Sequence, residues 1–306
     1  MAGVFEGFAT IGILIVLGIL LAHLTIIDEA GQRTLSTLAF YVASPALLVT
    51  VLESSDLGDV FSGALVATVA AVVVTAAVFV VVAVVRKESL GEAVVGTLCS
   101  AYVNAGNLGL PIAAYVLGDP ALVAPVLLMQ LLVLQPLALV VLDVDASTTR
   151  LSWRAIVLRP LKNPITIGSF LGLVLAVTGT SLPATVHDPL ELVGGMAVPS
   201  MLLAYGVSLR LGPLPGRGVP AGRLGLVVGL KQVLQPLVAY LVGRFVMDLD
   251  PSALLAVTVL SALPTAQNVF VVASRYERAQ LLARDAIFVS TLASVPVVIV
   301  ITALIA

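Results

Sequence analysis

The chain has 306 residues, of which 60% are hydrophobic and only 10% charged, and its mean hydropathy is +1.16. That composition excludes a soluble globular domain and places the chain among integral α-helical membrane proteins. The net charge of −2 is uninformative, the single cysteine (Cys99) excludes an internal disulfide or a cysteine metal cluster, and the apolar runs are too long for a transmembrane β-barrel and do not alternate.

Ten apolar segments follow in order, at approximately 6–27, 35–52, 60–85, 93–117, 121–142, 161–181, 189–209, 222–246, 252–274 and 282–305. No basic residue precedes Arg33 and Glu6 is acidic. That is a poor signal peptide, so segment 1 is expected to be a retained helix. Segments 2 and 7 carry Ser44-Pro45 and Pro199-Ser200, where the prolines predict bends.

Segment 4 holds the run Asn104-Ala105-Gly106-Asn107-Leu108-Gly109-Leu110-Pro111. Pro111 has no N–H and clashes with the preceding turn, so a continuous helix is expected to break there. A break at membrane depth survives only where it lines a protein cavity. It is therefore the first candidate binding site. Asn104 and Asn107 are three apart, on one face of a helix. Segment 5 adds Gln130 and Gln135-Pro136, which either line the same cavity or bond helix to helix.

After segment 5 comes the longest hydrophilic connection, near 143–160. Five segments lie on each side of it. An odd number per half gives the halves opposite orientation, so the chain reads as an inverted repeat: 1–145, a short cytoplasmic linker 146–160, and 161–306. Pro45 and Pro199, and Pro111 and Pro264, recur at offsets of 154 and 153 within corresponding segments.

Lys231 stands in the middle of segment 8, where a charge is costly. It has four readings: neutralising a buried carboxylate substrate, acting as a built-in cation in place of a sodium ion, titrating, or a purely structural role in which it snorkels or pairs with a carbonyl at a helix break. Segment 9 contains the second proline break, Leu263-Pro264-Thr265-Ala266-Gln267-Asn268. If the two breaks cross, their second half-helices start near the midplane from opposite directions, with a proline in each first turn. Such starts seat an anion, and the carboxamides add neutral hydrogen-bonding groups. The competing reading makes the prolines ordinary kinks and the amides interhelical bonds. Glu53, Asp56, Asp143 and Asp145 fall at segment ends, which gives an acidic proton or sodium relay weak support.

The basic residues set orientation. Thirteen of the fifteen lie in the loops after segments 1, 3, 5, 7 and 9, Arg244 alone lies opposite, and Lys231 is inside a segment. Those loops are expected to be cytoplasmic, with both termini outside. His23 and His187 are far apart, so no metal site is expected. No cofactor, catalytic triad, phosphate-binding loop or nucleic-acid patch is read from the chain.

The run from Asn104 to Ile112 resembles the signature of the auxin efflux carrier family, which includes plant PIN proteins and bacterial malonate-type transporters. Asn163-Pro164 with Gly172, the stretch Ala197 to Leu209, Lys231 to Pro236, Leu263 to Asn268, and Ser290-Thr291 continue the resemblance over most of the chain. The resemblance implies two inverted five-helix repeats, similar to bile-acid sodium symporters and sodium/proton antiporters. It implies a dimerising scaffold from helices 1, 2, 6 and 7 and a transport domain from helices 3–5 and 8–10, moving like an elevator. It also implies that segments 4 and 9 cross at Pro111 and Pro264, with a substrate carboxylate near Asn107 or Asn104 and Asn268. The long cytoplasmic loop of plant members is missing, as in a prokaryotic member.

The expectation is a secondary transporter of small organic anions in the inner cell membrane, not an enzyme and not a nucleic-acid binder. The residues expected at its substrate site are Asn104, Asn107, Pro111, Gln130, Lys231, Pro264, Gln267 and Asn268. Sodium- or proton-coupled exchange is the alternative, and a receptor that binds without transporting is a third. Few aromatic residues, with Trp153 in a loop, favour aliphatic acids over an indole.

Overall fold

The computed structural model describes residues 2–54, 63–109, 112–113, 117–118, 120–147 and 164–305. Among these the chain is helical apart from turns, short extended stretches and one isolated β-bridge. The helices are α1 (Ala2–His23), α2 (Glu29–Glu53), α3 (Gly63–Val85), α4 (Leu90–Ala101), α5 (Pro125–Asp145), α6 (Pro164–Thr178), α7 (Ala184–Leu211), α8 (Ala221–Phe245), α9 (Pro251–Ser261), α10 (Asn268–Tyr276) and α11 (Gln280–Ile305). Six of them, α2, α3, α5, α7, α8 and α11, are long and apolar enough to cross a membrane. Each predicted segment falls on one or two of these helices. The linker beyond Ser147, with Arg150, Arg154, Arg159, Lys162 and Asn163, lies outside the described residues, as do Asp56, Leu110 and Pro111.

Helix α3 shows why lipid decides the secondary structure. Its run of valines has poor intrinsic helix propensity. A hydrocarbon environment offers no partner for a free N–H or C=O, so a helix that satisfies its own backbone wins. Polar caps mark starts: Asp28 accepts from Gly31 N at 2.8 Å, and Ser89 Oγ accepts from Glu92 N at 3.4 Å while donating to the Glu92 carboxylate. Asp250 accepts from Ser252 N and Ala253 N, with Pro251 at the first helical position.

Prolines inside the long helices are absorbed rather than breaking them. A π-helical turn precedes Pro45, Pro136 and Pro236, at Ala39–Ala43, Gln130–Leu134 and Leu230–Leu234. In each case the N–H just before the proline reaches back five residues, Ser44 to Ala39 O, Gln135 to Gln130 O and Gln235 to Leu230 O. The wider turn makes room for the ring that would clash in an α-helix. In α7 the helix loosens to a turn at 195–196, just ahead of Pro199.

Packing pairs distant parts of the chain. Helix α1 lies on α7, α2 on α6 and α3 on α8. Small residues permit the first two approaches. A Cβ at Gly206 would overlap the Ile15 carbonyl oxygen of α1, and one at Gly172 would overlap the Leu48 carbonyl of α2. Without a hydrophobic force between helices in lipid, such close backbone contact supplies the association.

Candidate functional site

The site is built where segments 4 and 9 lose their helices. Helix α4 ends at Ala101, and Tyr102 is already extended, at φ −91° and ψ 108°. Helix α9 ends at Ser261 and the chain becomes helical again only at Asn268. The two irregular stretches meet antiparallel, with Val103 opposite Thr265. Asn104 N donates to Pro264 O at 2.8 Å and Ala266 N to Tyr102 O at 3.3 Å. Backbone groups freed by each break are thus paired with those of the other.

Side chains satisfy what remains. Gln130 Oε1 accepts from Val103 N at 2.7 Å, Thr265 Oγ1 donates to Cys99 O at 2.6 Å, and Ser290 Oγ accepts from Thr265 N at 3.1 Å. Gln235 Nε2 donates to Ala101 O, the end of α4. Asn104 Nδ2 donates to Gln267 Oε1 at 2.8 Å. Gln135 Oε1 accepts from both the Tyr102 hydroxyl, at 2.7 Å, and Asn268 Nδ2, at 3.2 Å. Asn268 Oδ1 has no partner among the described residues.

The break therefore comes ahead of Asn104, upstream of Pro111. Asn104 is not on a helix face with Asn107; its carbonyl accepts from Leu108 N and Gly109 N at the start of a π-helical turn, Ala105–Gly109. Asn107 belongs to that turn, its side chain is outside the described residues, and so is Pro111. Pro264 is not in the first turn of a new helix. It lies four residues before α10, where its missing N–H costs nothing and its carbonyl pairs with Asn104. The partners that end α4 come from segments 5, 8 and 9, so local sequence did not mark the spot.

Lys231 is fully buried. Its Nζ donates to Gln235 Oε1 at 2.6 Å and to Ser261 O at 3.4 Å. Ser261 O is the terminal carbonyl of α9, and Gln235, the other partner of Lys231, in turn caps Ala101 O at the end of α4. Of the four readings of Lys231, this arrangement matches pairing with a carbonyl at a helix break. Lys231 is not among the residues lining the cavity described next.

A cavity of about 220 Å³ lies between the crossover and α2, α6 and α7. Its polar lining comes from Asn104, Gln130, Gln135, Gln267 and Asn268, together with Ser44 and Tyr102. The rest is aliphatic apart from Phe40, and no described lining residue is charged. Of the predicted residues, the structure brings Asn104, Gln130, Gln267 and Asn268 together here. Neither Tyr205 nor Tyr41 lines this cavity; Tyr41 stacks under Arg275, 5.2 Å from guanidinium carbon to ring centre. Gln235 and Ser290 escaped sequence reasoning as parts of the site's frame. One signal was present: Val133-Leu134-Gln135-Pro136 in segment 5 recurs as Val233-Leu234-Gln235-Pro236 in segment 8.

Comparison with known proteins points the same way. The family described as membrane transport protein matches residues 4–147 and 138–302. A protein of Rhizobium meliloti named "Putative malonate transporter" is 28% identical over 294 residues, covering 93% of this chain and 90% of that protein. An "Uncharacterized transporter" of Methanothermobacter thermautotrophicus is 26% identical over 300 residues, 95% of each.

Proposed function

This chain belongs to the membrane transport protein family, the auxin efflux carrier group that its motifs resemble, and from that premise we propose that it is a secondary transporter of small organic anions. It is a multi-pass membrane protein and a transporter, not an enzyme. The observation that carries the substrate reading is the cavity at the crossover, walled by carboxamides and free of described charged groups. A carboxylate held there is bound by neutral hydrogen-bonding groups, with the start of α10 adding partial positive charge. The small volume, below the usual range for drug-sized ligands, suits an aliphatic mono- or dicarboxylate such as malonate.

The chain folds as two inverted repeats, 1–145 and 161–306, with ten transmembrane segments. The exchanged packing supports this: α1 on α7 mirrors α6 on α2, and segments 3 with 8 and 4 with 9 meet their own counterparts. The cavity lies between α2, α6 and α7 on one side and the crossover on the other, which fits a scaffold and a moving transport domain. Elevator-like movement of the second against the first carries the substrate. The scaffold also forms a homodimer. The basic loops face the cytoplasm in the inner cell membrane, and both termini face outward.

Transport needs no coupling sodium in this reading. Membrane potential alone supplies about 2.3 kcal/mol per charge at 100 mV. Flux of radiolabelled malonate in proteoliposomes tests this: it follows an imposed potential and ignores sodium. Flux that requires a sodium or proton gradient replaces this reading with coupled exchange.

A further inference from the structure

A second cavity of about 230 Å³ lies along the same helices. On α7, Met201 lines the first cavity and Ser208 the second. On α10, Asn268 lines the first and Ser274 the second; on α2, Ser44 and Gln32 do the same. Between the two stand Tyr205 and Phe270, buried and packed edge to face with ring centres 5.7 Å apart. The Tyr205 hydroxyl donates to Arg284 O at 2.8 Å, anchoring this partition to α11.

Two buried polar atoms among this cavity's lining residues have no partner among the described residues: Arg284 Nη1 and Ser274 Oγ. The Arg284 side chain is 1% exposed. Its Nε and Nη2 both donate to Asp285 Oδ1, at 2.8 and 2.6 Å, and Asp285 Oδ2 is taken by Gly216 N. Asp285 does not line the cavity, whereas Gly212, against which Nη1 is pressed, does. The unused edge of the guanidinium thus lies on the cavity side. An unpaired buried donor costs about 1–3 kcal/mol, and two around one cavity mark a place for an acceptor.

We propose that this cavity is a subsite for a small carboxylate, received by Arg284 Nη1 and Ser274 Oγ, one step along the substrate's route from the crossover. The inference rests on the organic-anion reading above. Glu29 and Glu277 outnumber Arg33 at its lining and Asp285 neutralises the far side of the guanidinium, so the surroundings are net negative and only the two directed donors favour a carboxylate. Binding is correspondingly weaker than at the crossover, which suits a waypoint that has to release its ligand.

The test is the number of malonate ions bound per chain by the purified full-length protein, measured by equilibrium dialysis with radiolabelled malonate. Wild type binds two, one tighter than the other. Ser274→Asp places a negative charge in the second cavity and abolishes the weaker site, whereas Asn268→Ala abolishes the tighter one and leaves the weaker. Should Ser274→Asp fail to fold, Ser274→Ala weakens the second site about tenfold, the loss expected for one hydrogen bond to a charged group. A single site in wild type, lost in Asn268→Ala and unchanged by either Ser274 variant, overturns the subsite and leaves the crossover reading standing. Absence of malonate binding throughout overturns both. Chloride displacing the second malonate as well as acetate does would overturn the carboxylate assignment.

Discussion

Asn104 Nδ2 lies 2.8 Å from Gln267 Oε1, although 163 positions separate the two residues. The bond ties the first break to the second beside the backbone pairing of Val103 with Thr265. It fixes one carboxamide from each half of the chain at the cavity wall, so site and fold are specified by the same contact. The predictions below separate the frame of the crossover from its ligand-facing surface.

Gln130 belongs to the frame. Its Oε1 is the acceptor for Val103 N, and its side chain is 1% exposed. Gln130→Leu leaves that N–H buried without its partner. A loss of about 1–3 kcal/mol of stability is expected. Thermal melts in detergent would show a lowered midpoint, and malonate flux should fall with it. An unchanged midpoint would mean that the break is held without Gln130.

Lys231 holds two helix ends. Lys231→Met keeps the volume and deletes the charge that faces Gln235 Oε1 and Ser261 O. Ser261 O at the end of α9, and Gln235, which caps α4, then lose their buried partner, and stability is expected to fall. The informative readout is sodium: the variant should gain stabilisation by sodium that the wild type lacks. If sodium moves neither midpoint, the ammonium is not standing in for a cation.

Close packing of α1 on α7 tests the scaffold. Gly206→Leu forces a side chain into the Ile15 backbone. Overpacking of this kind costs about 1–3 kcal/mol or more where only backbone can yield. Poor recovery of folded protein is expected, while Gly222→Ala, in open space, should be silent. Equal recovery of the two variants would contradict the observed approach.

Segment 4 shows how far the sequence could be read. The composition, the apolar runs and the basic loops led to a helical membrane protein, and the run from Asn104 to Ile112 led to its family. The presence of two broken helices was legible because carboxamides beside proline do not belong in a lipid-facing helix. The position of the first break was not. A proline-based rule pointed to Pro111, which lies outside the described residues, whereas the helix already ends before Tyr102, because Thr265, Gln235 and Gln130 satisfy the groups freed there. Those partners lie 27 to 166 positions away and no local pattern announces them. Lys231 was conspicuous in mid-segment, but only the structure showed that it faces Ser261 O and Gln235. Gln235 was hidden in plain view, one hundred residues after its match in segment 5.

The most direct test is radiolabelled malonate flux into proteoliposomes under an imposed potential, comparing wild type with Asn104→Ala and Asn268→Ala. Both variants are first checked for a native-like melting profile. The crossover account predicts flux in the wild type and a loss of about tenfold or more in each folded variant, as expected when a hydrogen-bonding group to a charged ligand is removed. Wild-type flux that persists undiminished in both variants would contradict the placement of the substrate at the crossover.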